Sequence, residues 1–199
     1  MTRLQKLLRS EFVQLVALLL LISAARSSFA DHYHVPTGSM EYTLMPGDRV
    51  FVDKSAYGLR IPFTKIDVVK TGAPQAGDVA VFDSPENGTL LIKRIVAVGG
   101  DHVRLSDGSL WLNGQRLSLP TTATVERFSE RVVQLNLTHG GGPDINGFTV
   151  PERSVLAIGD HRGNSHDSRY FGLIDTRELY GRAVAIYYSS GEGFQWTAL

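Results

Sequence analysis

The stretch Leu90–Val98, which reads LLIKRIVAV, is the strongest β-strand candidate in this sequence of 199 residues. Successive side chains of a strand point to opposite faces, so the alternation separates its two cations, Lys93 and Arg94. One face would carry Lys93 among apolar side chains. If that face is buried, desolvation lowers the pKa of the Lys93 ammonium and favours a neutral amine. If the segment is instead an edge strand, Lys93 simply reaches solvent.

Shorter segments on both sides of this strand also indicate β structure. Runs at 49–53, 78–82, 154–158 and 183–188 have the composition of strands. Asp107-Gly108 and Asn113-Gly114 are typical of two-residue turns with positive φ, so we predict a three-stranded meander over 103–119. Residues 132–137 could pair as another strand, whereas the rest of 120–150 reads as less regular, with a flexible loop at 139–143. The pattern predicts a mostly antiparallel β domain.

Composition limits the possible functions. Lysine plus arginine and aspartate plus glutamate both total 20, so the formal net charge is zero and no nucleic-acid partner is indicated. The absence of cysteine excludes disulfides, thiolate nucleophiles and cysteine-based zinc sites. His32 and His34 alternate and could be two metal ligands, but no third ligand follows at a recognisable spacing, so no metal site is predicted.

The N-terminus carries the only long apolar run. Basic residues in 1–11 precede an uncharged run at 12–25. With Ser28-Phe29-Ala30 as a cleavage site, this would be a secretory signal peptide. Counted through Ala30 it is long enough to span a bilayer as an anchor, with Arg26 extending to the far interface. In both cases the positive charges place the N-terminus in the cytoplasm and the rest of the chain across the membrane.

The segment VPTGSM at 35–40, just after this run, offers Ser39 as a nucleophile. A serine hydroxyl needs a base to react at neutral pH. Gly38 would let a substrate backbone approach closely. The same residue types are also typical of an ordinary turn, so the segment alone leaves both interpretations open.

Two kinds of base are available to Ser39. Lys93 could act as a neutral amine, which Arg94 could not, because a guanidinium stays charged. Alternatively, His161 or His166, with an adjacent aspartate, could complete a Ser-His-Asp arrangement. Both histidines lie in the polar loop GDHRGNSHDSRYFG at 159–172, which is also compatible with a simple surface loop.

Taken in order, these segments resemble bacterial type I signal peptidase. The resemblance rests on the anchor ending in Arg26-Ser27, PTGSM at 36–40, Leu44 with Gly47-Asp48, Gly77-Asp78-Val79, KRIV at 93–96 followed by Gly99-Gly100-Asp101, and the loop at 159–172. It implies a mainly β fold, an antiparallel β-sheet catalytic domain of the type shared with self-cleaving repressors, on a single N-terminal transmembrane helix. The implied domains are a cytoplasmic segment at 1–11, an anchor at 12–30 and an extracytoplasmic catalytic domain at 31–199 with a short variable insertion at about 101–154.

The resemblance also implies a membrane-bound serine endopeptidase that cleaves signal peptides from exported preproteins. Ser39 would be the nucleophile and Lys93 the general base of a Ser-Lys dyad. The Thr37 hydroxyl and the Ser39 N–H would form the oxyanion hole. Ser165 would hydrogen-bond the Lys93 amine, and Asp167 with Arg169 would brace the site. The walls of two pockets for an extended substrate strand would be Tyr33, Val35, Met40, Leu91 and Ile92.

The implied partners are signal-peptide-bearing preproteins and the lipid bilayer, with no nucleic acid, metal or cofactor. The anchor would be retained in the cytoplasmic (inner) membrane, with the catalytic domain on the outer side. Three departures stand out. After Met40 the family usually continues with a Pro-Thr pair, whereas this chain has Glu41-Tyr42-Thr43. Gly163 stands at a commonly acidic position, which removes a possible partner for Arg169, and the region between Asp101 and Val155 is short.

Two other interpretations remain. A self-cleaving repressor uses a similar Ser-Lys pair on a related fold, but it would need a DNA-binding domain or a cytosolic setting. An exported β-rich binding domain released after Ala30 would have a mature N-terminus at Asp31.

Overall fold

The computed structural model describes residues 10–62, 64, 66–119 and 122–199. It contains helices α1 (Glu11–Ser28) and α2 (Ser168–Phe171) and 3₁₀ turns at Gly38–Met40 and Thr176–Glu178. The strands are β1 (Ala30–His34), β2 (Arg49–Asp53), β3 (Leu59–Arg60), β4 (Asp67–Val69), β5 (Val79–Asp83), β6 (Leu90–Val98), β7 (His102–Ser106), β8 (Ser109–Leu112), β9 (Gln115–Arg116), β10 (Ser118–Leu119), β11 (Thr122–Phe128), β12 (Arg131–Gln134), β13 (Ile145–Thr149), β14 (Ser154–Ile158), β15 (Ile174–Asp175), β16 (Leu179–Ser189) and β17 (Gly193–Ala198).

The main sheet is antiparallel and positions the candidate site. Its strand order is β1-β2-β16-β5-β6-β14-β15, and β17 also pairs with β16. The long strand β16 pairs with β2 along one edge and with β5 and then β17 along the other. Strand β6 therefore lies inside the sheet between β5 and β14, so both its edges are hydrogen-bonded. The edge-strand interpretation of Leu90–Val98 is wrong.

Smaller sheets cover one end of the main sheet. Strands β13, β7, β8 and β9 form one of them, and β10, β11 and β12 form another. Their apolar side chains pack with those of β6 and β14 in a shared core that contains Leu105, Leu110, Val133 and Leu156. A separate hairpin, β3–β4, follows β2.

The meander over 103–119 is confirmed by β7, β8 and β9. Its turn residues Asp107, Gly108, Asn113 and Gly114 have φ values of 45°, 74°, 52° and 81°, the left-handed region that these residue types adopt readily. The expectation that 120–150 would be less regular is wrong, because β11, β12 and β13 all lie there. The pattern is hidden because Glu126, an inward-facing residue of β11, is a carboxylate that is fully buried.

Helix α1 has an almost uniformly exposed apolar surface. Leu18, Leu19, Leu20, Leu21 and Ile22 are each more than half exposed. In the part of the chain that the structure describes, no helix is both long and apolar enough to cross a membrane. Its last residue, Ser28, donates a hydrogen bond from its hydroxyl to the Arg60 carbonyl at 3.0 Å, which ties the helix end to the β3–β4 hairpin.

Candidate active site

The segment that follows β1 turns sharply and presents Ser39. Thr37 is extended, with φ −135° and ψ 159°, and a 3₁₀ turn then runs over Gly38–Met40. The side chains of Met40 and Leu44 are fully buried, and Leu44 N–H donates to the Met40 carbonyl at 2.8 Å. This packing fixes the turn from beneath, so Ser39 is held in place although it lies outside the sheet.

Lys93, in the middle of β6, reaches this turn. Its Nζ lies 2.5 Å from Ser39 Oγ, and the side chain is only 4% exposed. Burial lowers the pKa of the Lys93 ammonium from 10.5 to about 8, because the charges of Asp167 and Asp160 offset only part of the desolvation. The structure thus brings together the serine and the lysine that the sequence singled out, and the lowered pKa makes the neutral amine accessible near pH 8.

Arg94, the next residue on β6, is equally buried but is paired. Its Nε and Nη2 donate to both carboxylate oxygens of Asp160 at 2.9 and 2.7 Å. Nη1 donates to the Gly77 carbonyl at 2.7 Å. The hydroxyl of Thr43 donates to Asp160 at 2.5 Å and also accepts from Arg94 Nη2 at 3.0 Å. This bidentate pair therefore connects β6 to Thr43, in the segment that follows the nucleophile.

The other predicted hydroxyl groups lie close to the dyad. Thr37 Oγ1 is 3.5 Å from Ser39 Oγ. Ser165 is buried, and its Oγ has no hydrogen-bond partner among the described residues, so the expected hydrogen bond to Lys93 is not formed in this structure. A Cβ on Gly159 would lie 2.3 Å from Ser165 Oγ and 2.4 Å from the Ser39 carbonyl. Glycine at 159 therefore lets the loop of Ser165 approach the nucleophile's backbone.

Asp167 and Arg169 form a buried ion pair behind Lys93. Arg169 Nε and Nη2 donate to the two carboxylate oxygens at 2.8 and 2.7 Å. Burial alone would raise the pKa of Asp167, but Arg169 and the Gly159 N–H outweigh it and hold that pKa below its ordinary value. Asp167 also caps α2 by accepting from the Arg169 backbone N–H. Asp167 and Arg169 thus form a bidentate contact within the loop at 159–172, whose composition alone was also compatible with a simple surface loop.

The acidic partner for Arg169 that Gly163 removes is replaced by backbone carbonyls. Arg169 Nη1 donates to the Gly141 carbonyl at 2.9 Å, and Nη2 donates to the Arg162 carbonyl at 2.6 Å. A Cβ at Gly163 would lie 2.0 Å from the His139 carbonyl oxygen. The loop at 139–143, which was expected to be flexible, is thus packed directly against the loop at 159–172.

A chain of polar side chains that the sequence analysis missed lies beside the nucleophile. His161 Nδ1 is 3.2 Å from the Gly38 carbonyl and 3.1 Å from Glu41 Oε2. Its Nε2 is 2.9 Å from His139 Nδ1, and its backbone N–H donates to the Ser39 carbonyl at 3.1 Å. Glu41 also accepts from Asn136 Nδ2 at 3.0 Å. The His161 contacts therefore bind the Gly38 and Ser39 carbonyls of the turn that carries the nucleophile.

The histidines do not occupy the position of a base in this geometry. His161 faces Gly38 and Glu41, while Lys93 is the group beside Ser39 Oγ. His166 is exposed, and its Nε2 lies 2.8 Å from Glu86 Oε2. The partners of His161 could not be predicted from the sequence, because they lie in two segments, 38–41 and 139, that are far from it along the chain.

The five predicted wall residues divide between two apolar clusters. Four of them share a cluster with Leu44 and Val50 beneath the nucleophile turn, namely Tyr33, Val35, Met40 and Ile92. Leu91 packs instead in a second cluster, with Phe82 and Phe171.

Comparison with known proteins gives one family. The sequence model of the family described as "Signal peptidase, peptidase S26" matches residues 8–188. A signal peptidase I of Pseudomonas aeruginosa is 32% identical, over 86% of this chain and 69% of its own length. A signal peptidase I of Bacillus licheniformis is also 32% identical, over 89% of this chain and 85% of its own length. A solved signal peptidase I from Enterococcus faecalis V583 is 30% identical, with a TM-score of 0.43 over 55% of this chain and 95% of that one.

Proposed function

This chain belongs to the signal peptidase family, peptidase S26, and we propose that its Ser39–Lys93 pair cleaves signal peptides from exported preproteins. The observation that carries the assignment of the pair is the 2.5 Å contact between Lys93 Nζ and Ser39 Oγ in a buried setting. The chain is a serine peptidase, a hydrolase that acts on preproteins. The residues and their roles are our proposal.

In the first step, the neutral Lys93 amine accepts the Ser39 proton as Oγ attacks the scissile carbonyl carbon. The resulting tetrahedral intermediate collapses, the C–N bond breaks, and the Lys93 ammonium returns the proton to the leaving amine. A water molecule, deprotonated by the same amine, then hydrolyses the acyl-enzyme and releases Ser39. Lys93 is suited to both roles because burial has already lowered the pKa of its ammonium to about 8.

The oxyanion of the intermediate is stabilised by hydrogen-bond donors that are already in position before the reaction. We assign the Ser39 N–H and the Thr37 hydroxyl to this role, supported by the position of Thr37 Oγ1 3.5 Å from Ser39 Oγ. Loss of one such donor typically lowers kcat by about 10²–10³. Asp167 and Arg169 hold the loop behind Lys93, and Ser165 shapes the space between that loop and the turn.

The substrate would bind as an extended strand beside the nucleophile turn. Tyr33, Val35, Met40 and Ile92 support this assignment, because they share the apolar cluster under Ser39. These walls would accept small side chains at the first and third positions before the cut. We include Leu91 in the proposed walls on its position in the family motif alone.

We further propose that residues 12–30 attach the chain to the cytoplasmic membrane as a single anchor, with residues 1–11 in the cytoplasm. The catalytic domain at 31–199, with its variable part at about 101–154, would then face the outer side. The exposed apolar side chains of α1 support this arrangement, since an unpartnered apolar surface of that kind is unfavourable in water. Protease accessibility of residues 31–199 in intact spheroplasts, with extraction by alkaline carbonate as a second readout, would test it.

Cleavage of a preprotein with an Ala-x-Ala site by the purified full chain tests the catalytic assignment. The wild type should cleave after the second alanine, and Ser39→Ala and Lys93→Ala should each lose cleavage while keeping the wild-type circular dichroism spectrum. His166→Ala is the matched control and should cleave normally. Cleavage that survives Lys93→Ala would refute the lysine mechanism.

A further inference from the structure

A cationic cavity lies next to the β3–β4 hairpin, and neither Ser39 nor Lys93 lines it. It has a volume of about 480 Å³, within the usual range for ligand pockets. Five cationic residues line it, namely Lys54, Arg60, Lys70, Arg153 and Arg177. No aspartate or glutamate stands among its described lining residues. The proposed peptidase mechanism uses none of these side chains.

Part of this positive charge, that of Lys54 and Lys70, is not paired with a carboxylate among the described residues. Lys54 is only 8% exposed, yet its Nζ donates to the Tyr180 hydroxyl at 3.1 Å and lies 4.3 Å from the centre of that ring, rather than meeting a carboxylate. Within the described ranges, neither Lys54 nor Lys70 takes part in a salt bridge. Arg177 does pair with a carboxylate, that of Asp175, at 2.7 Å on an exposed rim. A nearly buried cation without an anion is costly, and binding of an anion would relieve that cost.

An apolar cleft adjoins the cationic cavity. It has a volume of about 350 Å³ and is lined by the end of α1 and the β3–β4 hairpin, through Leu21, Phe29, Leu59, Ile61 and Val68 among others. Arg60 lines both spaces, and its Nη2 donates to the carbonyls of Arg177 and Leu179 at 2.8 Å each. The side chains of Phe29, Ile61 and Val68 are 53%, 43% and 62% exposed. A positively charged space thus continues into an apolar one.

We propose that the cationic cavity binds the phosphate headgroup of an anionic phospholipid, with its acyl chains in the adjoining apolar cleft. A phosphate diester supplies the negative charge and the acceptor oxygens that lysine and arginine side chains bind. The apolar cleft then distinguishes a lipid from a soluble phosphate, because only a lipid fills both spaces at once. The site needs neither Ser39 nor Lys93, so it can be tested apart from the peptidase activity.

The test is native mass spectrometry of the full chain in detergent, titrated with dioleoyl phosphatidylglycerol or dioleoyl phosphatidylcholine. Phosphatidylglycerol should bind with saturation and at least about tenfold more tightly than phosphatidylcholine. Lys54→Gln and Lys70→Gln should each weaken that binding by about tenfold, the change expected for loss of one hydrogen bond to a charged group. Lys70 is exposed, so Lys70→Gln keeps the test valid even if the buried Lys54→Gln fails to fold.

Two controls separate the alternatives. Arg127→Gln removes an exposed charge from β11, outside both spaces, and should leave phosphatidylglycerol binding within about twofold of wild type. Ser39→Ala should bind the lipid like wild type even if it is inactive. Equal binding of the two lipids, or equal weakening by Arg127→Gln, would overturn the site. Competition by glycerol 1-phosphate at the same concentration as the lipid would overturn the phospholipid as ligand and leave a site for a soluble phosphate.

Discussion

Lys93 and Arg94 are neighbours on one buried strand, yet only one of them has an acidic partner. Arg94 forms a bidentate pair with Asp160, whereas Lys93 Nζ meets the Ser39 hydroxyl at 2.5 Å and forms no salt bridge within the described ranges. A buried cation paired with a carboxylate stays charged, and one without such a pair tends to lose its proton. Two consecutive residues of β6 therefore differ in role: Arg94 is a structural cation and Lys93 is the candidate base.

The pH dependence of kcat/KM should follow the Lys93 amine. Because burial lowers the pKa of Lys93 to about 8 and the neutral form is the base, activity should fall about tenfold for each unit below that pH. Cleavage of a fluorogenic Ala-x-Ala peptide between pH 6 and 10 checks this. A midpoint near 6.5 that disappears on replacing His161 or His166 would assign the base to histidine instead.

Lys93→Met should stabilise the fold while abolishing cleavage. The unfolded chain binds a proton at Lys93 with the ordinary pKa of 10.5, and the folded chain binds it at about 8, so burial costs about 3 kcal/mol below pH 8. The stability of the wild type should rise as pH increases from 8 to 10.5, and the advantage of Lys93→Met should shrink over that window. Thermal unfolding of both proteins from pH 6 to 11 measures the difference. Lys70→Met, at an exposed site, should show no such trend, and a pH-independent gap for Lys93→Met would contradict the lowered pKa.

His161→Ala should lower kcat by about ten- to a hundredfold with little change in KM. The ring contacts the Gly38 carbonyl and Glu41, so its loss frees the turn that aims Ser39, and small misplacements of a reacting group are costly. Steady-state kinetics on the same peptide separate kcat from KM. His166→Ala, in the same loop but exposed and paired with Glu86, is the control and should behave like wild type. Equal kcat values for His161→Ala and wild type would show that the turn is held without the ring.

Gly163→Asp, which restores the acid common in the family, should destabilise this chain. A Cβ at this position would lie 2.0 Å from the His139 carbonyl oxygen, and crowding of that kind typically costs about 1–3 kcal/mol. Differential scanning calorimetry should show a lower melting temperature. Gly191→Asp, where an added Cβ meets nothing within 4 Å, should melt near the wild-type temperature. A stabilised Gly163→Asp variant would mean that the 139–143 loop moves aside easily.

Several strands and turns of the fold could be predicted from local features of the sequence. Strands β2, β6 and β14 match the segments expected from their apolar runs, and the Asp-Gly and Asn-Gly turns form where these dipeptides lie. These features were predictable because strand alternation and turn conformation depend on residues close together in sequence. Strand β11 was missed because its inward Glu126, which pairs with buried Arg162, breaks the apolar pattern.

The sequence by itself determined which residues are available for chemistry, through the order of its motifs around Ser39 and Lys93. Only the tertiary structure decided that both faces of β6 are covered and that the amine reaches a serine 54 residues away. It also decided that Asp160 neutralises Arg94. His161 contacts the backbone of the nucleophile turn, at the Gly38 carbonyl, and does not contact the Ser39 hydroxyl. These outcomes depend on contacts between distant segments, and the burial and charge that such contacts create set the protonation state of each group.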